Sequence, residues 1–105
     1  MKILFDQGVP VPLQHELPGM EVTTTYRMSW SNLGNGELLT AAEQAGIDAF
    51  VTTDQNLRYQ QNLKGRRIAI VVLPTTRWPD IKPHTGKIRD ALKQVQPGAY
   101  LEIAW

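Results

Sequence analysis

The chain has 105 residues, no cysteine and a formal net charge of +1. This length predicts one domain with its own core, and the lack of cysteine excludes disulfides and thiolate metal sites. No run approaches the roughly 20 apolar residues of a membrane helix. Only three apolar residues separate Lys2 from Asp6, so no signal peptide is expected. We therefore expect one domain over residues 1–105, in the cytoplasm and away from the membrane.

The charges are unevenly distributed along the chain. Residues 1–57 contain two basic and seven acidic residues, whereas residues 58–105 contain nine basic and three acidic residues. Such an asymmetry is typical of proteins with an anionic partner, although an uneven surface charge without function explains it equally well.

The first half of the chain predicts two strands around a short helix. The apolar run at residues 2–5 predicts a buried strand, and the β-branched segment 21–26 predicts a second one. Between them, Pro10 and Pro12 fit only the first turn of a helix, which we place near residues 10–17.

Two helices and a strand are predicted next. "GELLTAAEQAG" has helical spacing of its apolar residues, with Asn35 as the predicted N-cap and Gly46 as the end. Residues 48–53 predict a third strand, followed by a helix over residues 54–65.

The last third begins with "RIAIVVL", residues 67–73, which predicts a central strand buried on both faces. Residues 74–86 predict a loop or a broken helical turn. From Lys87 the apolar residues recur at helical spacing up to Pro97, and the alternation in residues 99–105 predicts a strand at the sheet edge.

Strands that alternate with helices predict an α/β fold, with a mostly parallel sheet of about five strands between layers of helices. The carboxyl ends of parallel strands lie along one edge, where ligands bind at the point of strand-order reversal. Asp6 follows the first strand, Asp54 follows the third, and Glu37 begins the helix after the second. Asp48 precedes its strand and is expected at the opposite edge.

Each of these three acids has a structural explanation as a helix cap or a first-turn acid. Together, however, three converging carboxylates would repel one another, and a divalent cation would relieve that repulsion. Mg²⁺ prefers oxygen ligands and can activate water for attack on a phosphate. The sequence therefore predicts that Asp6, Glu37 and Asp54 are catalytic and bind Mg²⁺ or Mn²⁺.

"ILFDQGVP", "NGELL" and "VTTDQNL", in this order, resemble motifs of the PIN-like domain family, in particular its small stand-alone branch related to VapC-type toxins. The resemblance covers roughly residues 1–75. It implies a three-layer α/β/α fold, an acidic Mg²⁺ or Mn²⁺ site and cleavage of single-stranded RNA. It also implies a small antitoxin protein as a partner and allows a homodimer.

The chain departs from the family pattern at several positions. Gln7, Asn35 and Asn56 stand where the family often has acids, and Pro74 to Thr76 occupy the place of a fourth acid. These departures keep a second hypothesis open, namely a non-catalytic module that binds RNA or protein. A third is a receiver-like phosphoacceptor domain, although Gln7 breaks the acidic pair that such domains use.

Residues outside the acidic set are candidates for binding the substrate. We expect Asn56, Arg58 and Thr75 to contact the substrate, with Arg58 in a basic cluster that either meets phosphates or forms a solvated helix face. Four aromatic residues could stack on bases, although packing in the core or in an interface explains them as well. They are Tyr26, Trp30, Tyr59 and Trp78.

Overall fold

The computed structural model describes residues 1–105 and contains one sheet of five strands. The strands are β1 (Lys2–Phe5), β2 (Glu21–Thr24), β3 (Ala49–Thr52), β4 (Ala69–Val72) and β5 (Tyr100–Glu102). They pair in the order β2-β1-β3-β4-β5, and every neighbouring pair is parallel. The predicted α/β fold is therefore confirmed, with a sheet that is parallel throughout.

Helices connect all the strands. They are α1 (Asn35–Gln44), α2 (Leu57–Gln60), α3 (Trp78–Ile81) and α4 (Thr85–Gln94), with 3-10 helices at Val11–Glu16 and Lys82–His84. None of them combines the length and the apolar character that crossing a membrane requires.

Side chains alternate between the two faces of the sheet and build a separate core on each. Ile3 and Phe5 of β1 belong to a cluster that includes residues of the first 3-10 helix, α3 and α4. Leu4 belongs to a second cluster, with residues of α1 and α2. This alternation gives three layers, because successive residues of a strand point to opposite faces.

The strand β4 lies between β3 and β5, and all four of its residues are buried. A strand covered on both faces must be apolar throughout, which explains the uninterrupted run in the sequence. At the edge, β5 leaves Leu101 39% exposed. The predicted central strand and the predicted edge strand are both confirmed.

The helix predicted over residues 54–65 is wrong in length, because α2 ends at Gln60. Gln61 is extended, with φ −127° and ψ 140°, and the Asn62 side chain accepts a hydrogen bond from the Lys64 N–H. Such a local bond competes with the helix and favours a turn. Asn35 is not the N-cap of α1 either; Gly34 takes that position and Asn35 is the first helical residue.

Glu43, near the end of α1, forms hydrogen bonds that connect this helix to the segment before β4. One carboxylate oxygen accepts a bond of 2.7 Å from Arg66 Nη1, and the other accepts bonds from the N–H groups of Arg67 and Ile68. Burial alone would raise the pKa of Glu43, but these hydrogen bonds and the Arg66 charge outweigh it, so the pKa lies below its usual value.

Gly98 shapes the turn before β5. Its φ is +78°, and a Cβ at this position would lie 2.9 Å from the carbonyl oxygen of Arg66. The Gly98 N–H also donates a hydrogen bond of 2.8 Å to the carbonyl of Arg67. Both the left-handed backbone and the close approach therefore require glycine here.

Substitution of Gly98 by alanine should lower the free energy of unfolding more than the same change at Gly19. Gly19 has nearly the same φ, +81°, but a Cβ there meets nothing within 4 Å. The backbone conformation should cost both variants about 1–2 kcal/mol, and the contact with Arg66 should cost Gly98→Ala about 1–3 kcal/mol more. Urea unfolding of the two variants measures the difference, and equal losses would contradict the steric argument.

Glu43→Gln should flatten the pH dependence of stability. Because the pKa of Glu43 is lowered by folding, its contribution is present above the unfolded pKa of about 4.3 and is lost as the pH falls through the folded pKa. Urea unfolding between about pH 6 and 3 should thus show a smaller decline for Glu43→Gln than for the wild type. The control Glu21→Gln changes an exposed glutamate that makes no ion pair and should retain the wild-type slope.

Candidate functional site at the carboxyl edge of the sheet

The strand order reverses between β1 and β3. From β1 the chain moves outward to β2, whereas β3, β4 and β5 extend the sheet in the other direction. In open parallel sheets the crevice at such a point, beyond the carboxyl ends of the strands, is the usual ligand site. Asp6 directly follows β1, and Asp54 follows β3 after one intervening residue. The topology thus places both acids at the reversal point, as the sequence predicted.

The hydroxyl of Thr52, the last residue of β3, connects the two acidic segments. It donates a hydrogen bond of 2.7 Å to Asp6 Oδ2 and accepts one of 3.1 Å from the Asp54 N–H. Thr52 itself is fully buried. A chain of bonds therefore runs from the Asp54 backbone through Thr52 to the Asp6 carboxylate, and each bond polarises the next.

The remaining carboxylate oxygens make few bonds. Asp6 Oδ1 accepts a bond of 2.9 Å from the Gln7 N–H, and Asp54 Oδ1 accepts one of 2.9 Å from the Asn56 N–H. The bond to Asn56 closes the turn that leads into α2, so Asp54 does have the local role of an Asx turn. The other oxygen of Asp54 accepts no hydrogen bond, and a carboxylate with this few partners retains acceptor sites for a ligand.

Gly8 allows the loops at this edge to approach each other closely. A Cβ on Gly8 would overlap the hydroxyl oxygen of Thr53 and would touch the methyl group of Thr76. Gln55 also contacts the residue that follows β4, because its side-chain amide donates a hydrogen bond of 2.6 Å to the Leu73 carbonyl. The segments after β1, β3 and β4 are thus packed against one another.

Glu37 does not join the other two acids. It is exposed and lines a cavity of about 510 Å³ together with Arg66. A smaller cavity of about 130 Å³ beside Asp6 is lined by Asn35 and Leu38 instead. Successive helical residues are rotated by about 100°, so residues 35 and 38 share a face that residue 37 does not.

The structure contains no group of three or more histidine, aspartate or glutamate side chains placed to hold a metal ion. The expected convergence of Asp6, Glu37 and Asp54 is therefore not present as a three-carboxylate cage. Asp48 lies at the opposite edge, as expected, where its carboxylate accepts a bond of 2.8 Å from the Lys2 N–H.

The three predicted substrate-binding residues are spread over the loops. Asn56 is exposed and precedes α2. Arg58 forms an ion pair of 3.3 Å with Glu102 and donates a bond of 2.6 Å to the Tyr59 hydroxyl. Thr75 accepts a hydrogen bond from the Arg77 N–H and lines a cavity that includes neither Asp6 nor Asp54. The structure brings none of the three into the cavities that Asp6 lines.

Two further groups have shifted pKa values near α2 and β5. The hydrogen bond to the Tyr59 hydroxyl and the charge of Glu102 raise the pKa of Arg58. Burial, followed by the charge of Glu102, raises the pKa of Tyr100, whose buried hydroxyl has no hydrogen-bond partner. Both tyrosines and Arg58 therefore belong to one packed cluster beside the sheet edge.

The basic cluster in and after α2 consists of Arg58, Lys64, Arg66 and Arg67. Two of its members form ion pairs within the protein, Arg66 with Glu43 and Arg58 with Glu102. Arg27, by contrast, lines a cavity of about 480 Å³ together with Asp6. Sequence reasoning overlooked Arg27 because the basic residues concentrate in the second half. Its isolation among seven acids was the signal that could have identified it.

Thr52 was also overlooked as part of the site. The available signal was a hydroxyl residue at the end of an otherwise apolar strand, two residues before an acid.

Comparisons with protein-family models, with curated proteins and with solved structures gave no match. The resemblance to the PIN-like family therefore stays a prediction that depends on the motifs.

Thr52→Val should destabilise the protein by about 1.5–3 kcal/mol, because it removes the bond to a charged carboxylate and leaves the Asp54 N–H without its acceptor. The matched control is Thr23→Val in β2, whose hydroxyl makes no hydrogen bond to another residue. Urea unfolding compares the two. Equal effects of the two substitutions would show that the Thr52 hydroxyl does not hold the segments together.

Proposed function

We propose that the chain is a PIN-like, metal-dependent endoribonuclease that uses Asp6 and Asp54 at the strand-order reversal to hydrolyse single-stranded RNA. The observation that carries the proposal is the bridge through Thr52, which links the carboxylate of Asp6 to the segment of Asp54. The ordered motifs "ILFDQGVP", "NGELL" and "VTTDQNL" add the family resemblance on which the reaction type depends.

The residues at this edge fit Mg²⁺ or Mn²⁺ in a limited way. Mg²⁺ is often held by only one or two carboxylates, with water and substrate phosphates completing its octahedron. Asp6 and Asp54 provide one carboxylate each after the neighbouring strands β1 and β3, and Asn35 is among the residues that line the smaller cavity beside Asp6. The donor set therefore suits a water-rich site and not a cage made of protein ligands alone.

When bound, such an ion would polarise the scissile phosphate and lower the pKa of a water molecule. The chain itself would contribute orientation. Thr52 fixes one oxygen of Asp6, and the Gln7 N–H fixes the other, so the carboxylate plane is held before any ligand arrives. Preorganised groups cost little reorganisation during the reaction, which is the main source of their catalytic effect.

The non-catalytic hypothesis is supported by a different observation. Glu37 lies outside the cavities of Asp6, and an amide, Asn35, lines one of them instead. An amide is a neutral oxygen ligand and contributes less to cation affinity than a carboxylate does. A module that binds RNA or a protein at this edge without cleaving it would require only the polar rim and not the metal.

Mn²⁺ should raise the melting temperature of the wild type and should not raise that of Asp54→Asn. Asparagine and aspartate are nearly equal as caps, so the substitution retains a purely local role of Asp54 but removes the charge that a cation needs. A ligand adds stability only by binding the native state, so the shift reports the binding. Thermal unfolding of both proteins with EDTA and with millimolar Mn²⁺ measures it.

Asp6→Ala should also lose the response to Mn²⁺, whereas Glu37→Gln should retain it, because no hydrogen-bond bridge links Glu37 to Asp6 in the way that Thr52 links the Asp54 segment to it. Equal shifts in the wild type and in Asp54→Asn would show that Asp54 is only a turn residue. A shift without Mn²⁺-dependent cleavage of a single-stranded RNA would favour the non-catalytic module. The absence of any shift would rule out the nuclease.

A further inference from the structure

The cavity between the ends of β1 and β2 is the larger of the two cavities that Asp6 lines, at about 480 Å³. Its wall also includes Gln7, Tyr26 and Arg27. Cavities of roughly 300–1,000 Å³ are the usual size for small ligands, so this space accommodates a portion of a nucleic acid strand such as one nucleotide.

Tyr26 stands out among the aromatic residues. Its side chain is the most exposed of the large hydrophobic ones, at 83%. Trp30 and Trp78, by contrast, pack against the two cores, and Arg58 covers one face of Tyr59 at 4.8 Å from the ring centroid. Tyr26 has no aromatic or cationic partner, so its ring faces are open to a ligand.

The loop that carries Tyr26 is held firmly. The Arg27 N–H donates to the Thr24 hydroxyl, and the Ser29 N–H donates to the Tyr26 carbonyl. Ser29 has a φ of 61° and is the one non-glycine residue with a positive φ. A residue in this sparsely populated conformation persists only where its surroundings fix it, and such residues concentrate at functional sites.

Arg27 supplies positive charge at the same cavity. Its two terminal nitrogens donate to the Gln14 side chain, and one of them also reaches the Val22 carbonyl. All of these acceptors are neutral, and Arg27 forms no ion pair with a carboxylate. The guanidinium is thus positioned while its charge stays uncompensated, which suits recognition of a phosphate.

We propose that this cavity is a nucleotide subsite for single-stranded RNA, in which a base stacks on Tyr26 and its phosphate contacts Arg27, next to Asp6. The proposal takes RNA as the substrate class from the proposed function, and it adds the residues that hold the strand. Stacking on an aromatic ring tolerates any base, so the subsite should bind without strong sequence preference.

The test measures binding of a fluorescently labelled single-stranded RNA by anisotropy, with EDTA present so that no cleavage occurs. Loss of one stacked base corresponds to about 1–3 kcal/mol, so Tyr26→Ala should weaken binding by about 5-fold to about 150-fold. Tyr26→Phe retains the ring and should bind almost as tightly as the wild type. Tyr59→Ala is the matched control, because it removes an exposed tyrosine outside the cavity and should leave the affinity unchanged.

The Arg27 contribution is measured by the dependence of affinity on salt. Removal of one phosphate contact should reduce the slope of log K against log salt concentration by about 0.7 for a single strand. Arg27→Gln should show this reduction. Lys93→Gln, the same loss of charge in the last turn of α4, should retain the wild-type slope. Duplex RNA should bind more weakly than the single strand, since its bases are not free to stack on the ring.

Four outcomes would each overturn the subsite. Tyr26→Ala could bind RNA as tightly as the wild type, or Tyr59→Ala could lose affinity instead. Duplex RNA could bind as tightly as the single strand, or the wild type could bind no RNA. Failure of the proposed nuclease has a separate outcome. In that case no Mn²⁺-dependent cleavage is seen, while the Tyr26 dependence of binding in EDTA is still present. Melting temperatures of the variants identify any that are unfolded. If Tyr26→Ala is unfolded, Tyr26→Leu, which removes the aromatic ring but retains an apolar side chain, should show the same loss of affinity, with Tyr59→Leu as its control.

Discussion

The parallel pairing of β1 with β3 is the constraint on which the rest of the candidate site depends. It brings Asp6 and Thr52, which are 46 residues apart in the sequence, to within hydrogen-bonding distance. Parallel strands cannot be joined by a tight turn, so each needs a crossover that covers one face of the sheet. The same crossovers bury the faces of the strands, so polar groups are confined to the two ends of the strands, and Asp6 and Asp54 lie at the carboxyl end. The position of the acids is thus a consequence of the topology and not of their local sequence.

Much of the fold was predictable from local patterns, because burial on both faces leaves a clear mark on a sequence. The apolar run of β4 indicated a central strand, and the Asp6 and Asp54 segments followed from the strand ends. The shortness of α2 was less predictable. Residues 54–65 are compatible with a helix, but the bond from Lys64 to the Asn62 side chain and the extended Gln61 favour a turn. Hydrophobic spacing does not show such a local bond, which competes with the helix for the same backbone N–H groups.

The third acid illustrates a limit of spacing arguments. The sequence places Glu37 in the first turn of the helix after β2, and the structure agrees with that placement. The direction in which the Glu37 side chain points depends on the residue at which α1 begins, because each helical residue is rotated by about 100° from the one before it. With Asn35 as the first helical residue, the amide lies on the Asp6 cavity and Glu37 lies on another. A shift of one residue in a cap therefore changes which group can reach a ligand.

On the proposed function, Asp6, Asp54 and Asn35 would offer a metal ion two carboxylates and one amide, and this set has a consequence for how metal and substrate would bind. Such a site lacks the charge to hold a divalent cation tightly, and Mg²⁺ dehydrates reluctantly. Phosphate oxygens of the substrate would then complete the coordination, so bound RNA should increase the affinity for metal. Linkage requires that metal increase the affinity for RNA by the same factor. The uncompensated charge of Arg27 beside Asp6 acts in the same direction, since it attracts the phosphate and disfavours a metal ion that arrives alone. On the proposed function, the mixed charge of this edge would thus favour a metal ion and an RNA strand together over either one alone.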